Sequence, residues 1–179
     1  MKKLMFVAMA ACLTIFAACG NNGGNKNGKA EAEPQEVVEQ VQMPDNFVKY
    51  VADNFELMYP NDLEISWESE DLINLQSEDG DVFIDATFSE WGTRADELKS
   101  AAKNWVSLKE TMGATTVEQP VVKGNVMTAR FLEDGQIDGL FLVSGEGSHC
   151  VAGNLKVSQD KEDLFNKYFP ALVASIVVK

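Results

Sequence analysis

Leu72-Ile73-Asn74-Leu75-Gln76-Ser77-Glu78-Asp79-Gly80-Asp81-Val82-Phe83-Ile84-Asp85-Ala86-Thr87-Phe88 is the stretch that decides the fold class. Two apolar runs flank a turn containing Asp79-Gly80, and glycine accepts the positive φ that a tight hairpin turn needs. Along the second run, Val82, Ile84, Ala86 and Phe88 share one face, while Phe83, Asp85 and Thr87 share the other. One face should meet a core and the other should be mixed. The stretch therefore predicts an antiparallel β-hairpin built against a hydrophobic layer.

On the N-terminal side, Phe47–Val51 and Phe55–Tyr59 flank the turn residues Ala52-Asp53-Asn54 and read as another hairpin, although 45–52 also fits a short helix. Asp62–Glu70 reads as irregular to extended and carries Trp67. On the C-terminal side a helix starts at Thr93, with Asp96 three residues on in a capping-box-like arrangement. Leu98, Ala101, Ala102, Trp105, Leu108 and Met112 recur at helical spacing, which predicts a buried stripe with Trp105 inward, and Gly113 supplies the stop. A short extended piece then runs to Pro120. Strands over Val126–Leu132, Gln136–Ser144 and His149–Val157 follow, joined by Glu133-Asp134-Gly135 and Gly145-Glu146-Gly147. A last helix opens over Ser158–Asp163, capped by Ser158 or Asp160, with Leu164, Phe165, Tyr168, Leu172 and Ile176 on its apolar side. Pro170 is expected to split it into two short helices. The expected class is α+β, an antiparallel sheet with helices packed on it, forming one domain over residues 44–179.

The chain opens with Lys2 and Lys3, an apolar run from Leu4 to Ala18, and then Cys19 before Gly20-Asn21-Asn22-Gly23-Gly24. A basic start, a short apolar run and small residues before the cut mark a secretory signal. The run is shorter than the ~18 apolar residues that a membrane-spanning helix needs. Phe16-Ala17-Ala18-Cys19 resembles a bacterial lipobox, with Phe16 where an aliphatic residue is usual. Cys12 also follows two alanines, but cutting there would leave Leu13, Ile15 and Phe16 at the new terminus. The resemblance implies a signal peptide over 1–18, palmitate-class lipidation of Cys19 and anchoring in the bacterial cell envelope, at the periplasmic or outer face and with the outer membrane as the expected site. Residues 19–43 are rich in Asn, Gly, Glu and Gln and read as a tether, spanning about 25–30 Å as a flexible coil.

The formal net charge is −13, and −15 once Lys2 and Lys3 leave. Such a domain repels phosphate backbones, which argues against nucleic acid as a partner. Of three cysteines, Cys12 leaves with the signal and Cys19 takes lipid, so Cys150 has no intramolecular disulfide partner. His149 and Cys150 suggest a base and nucleophile, but neighbours on a strand point to opposite faces. The expected arrangement is a buried structural thiol beside an exposed or half-buried histidine. Three acidic groups, Glu68/Glu70/Asp71, Glu78/Asp79/Asp81 and Glu133/Asp134, lack the EF-hand spacing and read as solvated turn charge. No catalytic residue, metal ligand or cofactor is assigned.

The order of elements, together with Phe55-Glu56-Leu57-Met58-Tyr59-Pro60, resembles the PsbP-like family of α/β/α sandwiches over residues 46–179. The resemblance implies a non-enzymatic binding or assembly role with a protein partner, and no functional residue transfers. The expected function is thus a lipid-anchored interaction domain. The alternative is a small-ligand-binding lipoprotein, with a pocket between sheet and helix near Trp67, Trp91 or Tyr59.

Overall fold

A computed structural model describes residues 41–179. The expected signal peptide, Cys19 and the tether up to residue 40 lie outside the described residues. Met43, near the start of the described part, packs against the main core.

Among the described residues, ten strands and two helices follow in order: β1 (Phe47–Val51), β2 (Phe55–Pro60), β3 (Glu64–Ser69), β4 (Leu72–Gln76), β5 (Val82–Ser89), α1 (Leu98–Thr111), β6 (Thr115–Lys123), β7 (Val126–Glu133), β8 (Gln136–Ser144), β9 (Cys150–Ser158), α2 (Glu162–Ser175) and β10 (Val177–Val178). A single 3₁₀ turn leads into each helix. All strand pairs are antiparallel. β1, β2 and β10 form a small sheet, and the other strands form a seven-stranded sheet in the order β3-β4-β5-β9-β8-β7-β6.

The hairpin over 72–88 forms as its sequence requires. Val82, Ile84, Ala86 and Phe88 are buried, and the residues between them are half-buried. Gly80 takes φ 75° in the turn. The 62–70 segment, expected as irregular to extended, is largely strand: Glu64–Ser69 pairs with β4, with a bulge between Ile65 and Trp67. The piece before Pro120 also runs on as a strand. Pro120 is tolerated because β6 is a sheet edge, and the register slips between Glu118 and Val121 so that no ladder donor is missed.

The two faces of the large sheet carry different layers. Phe141, Val143, Val151, Leu155 and Val157 point to one face and join Phe165, Tyr168, Phe169 and Leu172 of α2 and Phe55 and Leu57 of β2 in the main core. Leu142 and Met127 point to the other face and meet Leu98 and Ala102 of α1. Ala129, Phe131 and Leu140 on that same face pack under Trp105 and Val106. Gly139 lets α2 come close: a Cβ there would lie 2.6 Å from ring carbons of Phe165.

Four helix expectations need correction. The cap lies one residue later and on the 3₁₀ turn that leads into α1, where the Glu97 carboxylate accepts from the Arg94 backbone N–H at 3.3 Å; the Thr93 carbonyl is taken by the Ser144 hydroxyl instead. Leu108 and Met112 are not core. They are 53% and 63% exposed, and Lys109 is buried between them. The last helix is continuous through Pro170. Pro170 and Asn166 both face solvent, so water can satisfy the Asn166 carbonyl that loses its helical donor. Neither proposed side-chain cap forms there; the Ser158 hydroxyl donates to Asp81 at 3.2 Å.

Candidate binding face

α1 lies over β6 and β7 and reaches Cys150 and Ala152 of β9, while Asp85, Thr87 and Asn154 on the same sheet face lie beside it. Residues directly opposite across strands share a face. The registers Trp67↔Asn74, Asn74↔Asp85, Asp85↔Asn154, Asn154↔Leu140 and Leu140↔Ala129 make one row across six strands. The row begins at exposed Trp67 on the sheet edge, crosses the polar trio Asn74, Asp85 and Asn154, and ends at apolar residues beneath α1.

Where this row passes under the helix, the surface dips into a trough of about 390 Å³. Asp85, Thr87 and Asn154 line its floor, and Trp105, Leu108 and Met112 line its helix side. Burial pushes the Asp85 carboxyl above the usual carboxylate range. With its side-chain nitrogen turned inward, Asn74 donates to Asp85 Oδ2 at 3.3 Å. Asp85 belongs to none of the ion pairs among the described residues. Asn154 Oδ1 is buried with no hydrogen-bond donor.

A charge cluster closes one end of the trough. Lys109 Nζ lies 2.6 Å from Asp138 Oδ2 and 2.9 Å from Glu133 Oε2, and Lys156 stands within 4.0 Å of the same two oxygens. Burial pulls the Lys109 ammonium down, but its bonds to Asp138 and Glu133 outweigh that and hold its pKa above the ordinary lysine value. The bond from Lys109 in turn holds the Glu133 carboxyl low.

The residues singled out from sequence scatter over the molecule. Trp67 stands in the row described above. Trp91 is 88% exposed on the β5–α1 loop, which is fastened to the β8–β9 turn by Ser148 Oγ to the Glu90 carbonyl at 2.7 Å and by Gly92 N–H to the Ser148 carbonyl at 2.8 Å. Tyr59 belongs to the small sheet. Cys150 is buried in the α1 layer, and burial raises its thiol pKa. His149 packs edge-on against Phe88 in the other layer and holds the Lys179 carbonyl at 3.2 Å through Nδ1, so the two side chains do not meet. Asp79 and Asp81 close on Lys161 at 2.8 and 2.6 Å, and the Lys161 bond holds the Asp79 carboxyl well below its usual range. Asp71 accepts from the Asn54 amide at 2.7 Å. Among the described residues, no group of three or more His, Cys, Asp and Glu converges as a metal site would.

Sequence reasoning missed Asn154 and Lys109 as members of a site, and it read Trp105 only as core. The available signal was the polar residue at the middle of each of β4, β5 and β9.

No family model matches the chain, and no curated protein matches it. Among solved structures, cyanobacterial PsbP (CyanoP) from Synechocystis superposes with a TM-score of 0.51 at 14% identity, over 82% of this chain and 100% of that one. The Ran-binding protein Mog1p of Saccharomyces cerevisiae superposes with a TM-score of 0.50 at 14% identity, over 74% and 95%. The folded part of this chain accordingly has the fold that CyanoP and Mog1p share.

Proposed function

We propose that this is a lipid-anchored protein of the bacterial envelope whose folded domain binds another protein in a non-enzymatic role. The observation that carries the reading is the pair Leu108 and Met112. They stand one helical turn apart, exposed, beside a half-buried polar floor. Large apolar side chains held in the open on a rigid helix next to polar groups are what a protein interface uses at its centre. The domain's acidity keeps it off anionic lipid, which suits a globule held to a bilayer only through Cys19. No helix among the described residues is long and apolar enough to cross a membrane.

Crosslinking in native membranes tests this. A partner should be captured by the wild type and lost in Leu108→Ser/Met112→Ser, with the melting temperature preserved. Cys19→Ala should release the protein from the membrane fraction. Capture that is indifferent to Leu108 and Met112 would sink the reading.

The second reading, a small-ligand lipoprotein, draws on the trough and on a cleft of about 540 Å³ between α1 and β6, lined by Lys103, Val106, Glu110 and Pro120. Both fall within the size range of small-molecule sites, about 300 to 1,000 Å³. Native mass spectrometry of protein purified from its source would show a retained ligand mass.

A further inference from the structure

The trough beside α1 has a chemical demand that its own residues leave unmet. Asp85 brings a half-buried carboxylate with an amide for company and no cation. Asn154 brings a buried carbonyl oxygen that accepts from nothing. Lys109 lines the same trough, but its ammonium is committed to Asp138 and Glu133. Lys156 lies against those same two carboxylates. Two lysines and two carboxylates cancel one another, so Asp85 is the charge left over.

A cation that carries donors answers both the acceptor oxygens and the negative charge of such a site. Lysine ammonium and arginine guanidinium are the side chains of that kind. The remaining wall fits the rest of such a residue. Leu108 and Met112 offer apolar contact to a methylene stem, and the Trp105 indole offers its π system to the charge. An anionic ligand would be repelled by Asp85, and a neutral apolar one would strand both oxygens. The net charge of −13 also draws in a basic partner at long range.

We propose that the trough receives a basic side chain, lysine or arginine, projecting from a partner protein. Asp85 accepts its donors, the Asn154 amide rotates its buried oxygen outward to share them, and Trp105, Leu108 and Met112 hold its stem. This rests on the protein-interaction reading and names what that surface recognises.

The test is an NMR titration of the full chain in detergent with three probes: acetyl-arginine amide, acetyl-lysine amide and the neutral acetyl-citrulline amide. The two cationic probes should give saturable shifts at the Trp105 indole and the Asn154 side-chain amide. The neutral probe should bind about tenfold more weakly. Asp85→Asn should bring the cationic probes down to that level while the spectrum stays folded. Met112→Ser, at an exposed position, should weaken the cationic probes about threefold. Citrulline binding equal to arginine, unchanged binding by Asp85→Asn, shifts confined to another surface, or no saturable shift with any probe would each overturn the proposal. The membrane crosslink separates the two readings. Capture that needs Leu108 and Met112 but not Asp85 keeps the interaction and removes the basic side chain; capture that needs none of the three removes both.

Discussion

Lys109 Nζ and Asp138 Oδ2 meet at 2.6 Å between α1 and β8, with Asp138 fully buried. The pair fastens the helix that forms one wall of the trough. Its isolated members are expensive: a buried charge that loses its partner costs several kcal/mol, whereas an apolar replacement of both is often neutral. Lys109→Met should therefore destabilise the domain by about 3 kcal/mol, and Lys109→Met/Asp138→Leu should recover most of that loss. Urea unfolding of the two variants checks this, and a double variant no better than the single would contradict it.

Asp85 sets a pH dependence of opposite sign to the usual aspartate. Its folded-state pKa is raised by burial, so the folded chain holds the proton more tightly than the unfolded one does. Stability from this residue falls as pH rises from the ordinary aspartate value, about 3.9, through the raised value. Asp85→Asn should melt higher than wild type at pH 7, and the gap should close as pH drops below about 4. Thermal melts across that range read it directly.

Gly139 lies beneath the rings of Phe165 and Phe169, where a methyl group would sit 2.6 to 2.7 Å from ring carbons. Gly139→Ala should cost about 1–3 kcal/mol through overpacking. Gly139→Ala/Phe165→Leu should regain part of it, because the collision, rather than the loss of glycine, is responsible. Additive losses in the double variant would refute the geometry.

Pro170 sits on the solvent side of α2 without breaking it. Replacing it with alanine restores an N–H for the Asn166 carbonyl, at the cost of a looser unfolded chain. The net gain should be about 1–2 kcal/mol. Calorimetry of Pro170→Ala would show a higher melting temperature; a lower one would mean that the proline fits α2 better than alanine does.

Much of the scaffold was readable because its signals are local. The Asp-Gly turn, the two-residue alternation of β5 and the glycine stop after α1 each involve a few neighbouring residues. Errors came where distant partners decide. Leu108 and Met112 share the helical spacing of a core stripe, but the sheet beneath α1 offers Asp138 instead, and Lys109 takes the buried position. Pro120 looked like a strand end because nothing near it reveals that β6 is an edge. Val177-Val178 became a strand only because β2 lies alongside. The trough was the least readable part. Asp85 and Asn154 each look like an ordinary polar residue on a mixed strand face, and only their register makes them neighbours.

That register has a consequence for when the surface exists. β5 and β9 are joined by a loop that contains α1, β6, β7 and β8, so their ladder closes over a long excursion of chain, late and slowly as such pairings do. Before closure Asp85 and Asn154 belong to separate fragments and recognise nothing in common. A partner that reads them together would be selecting finished molecules and passing over immature ones, so the fold would act as its own certificate of completion.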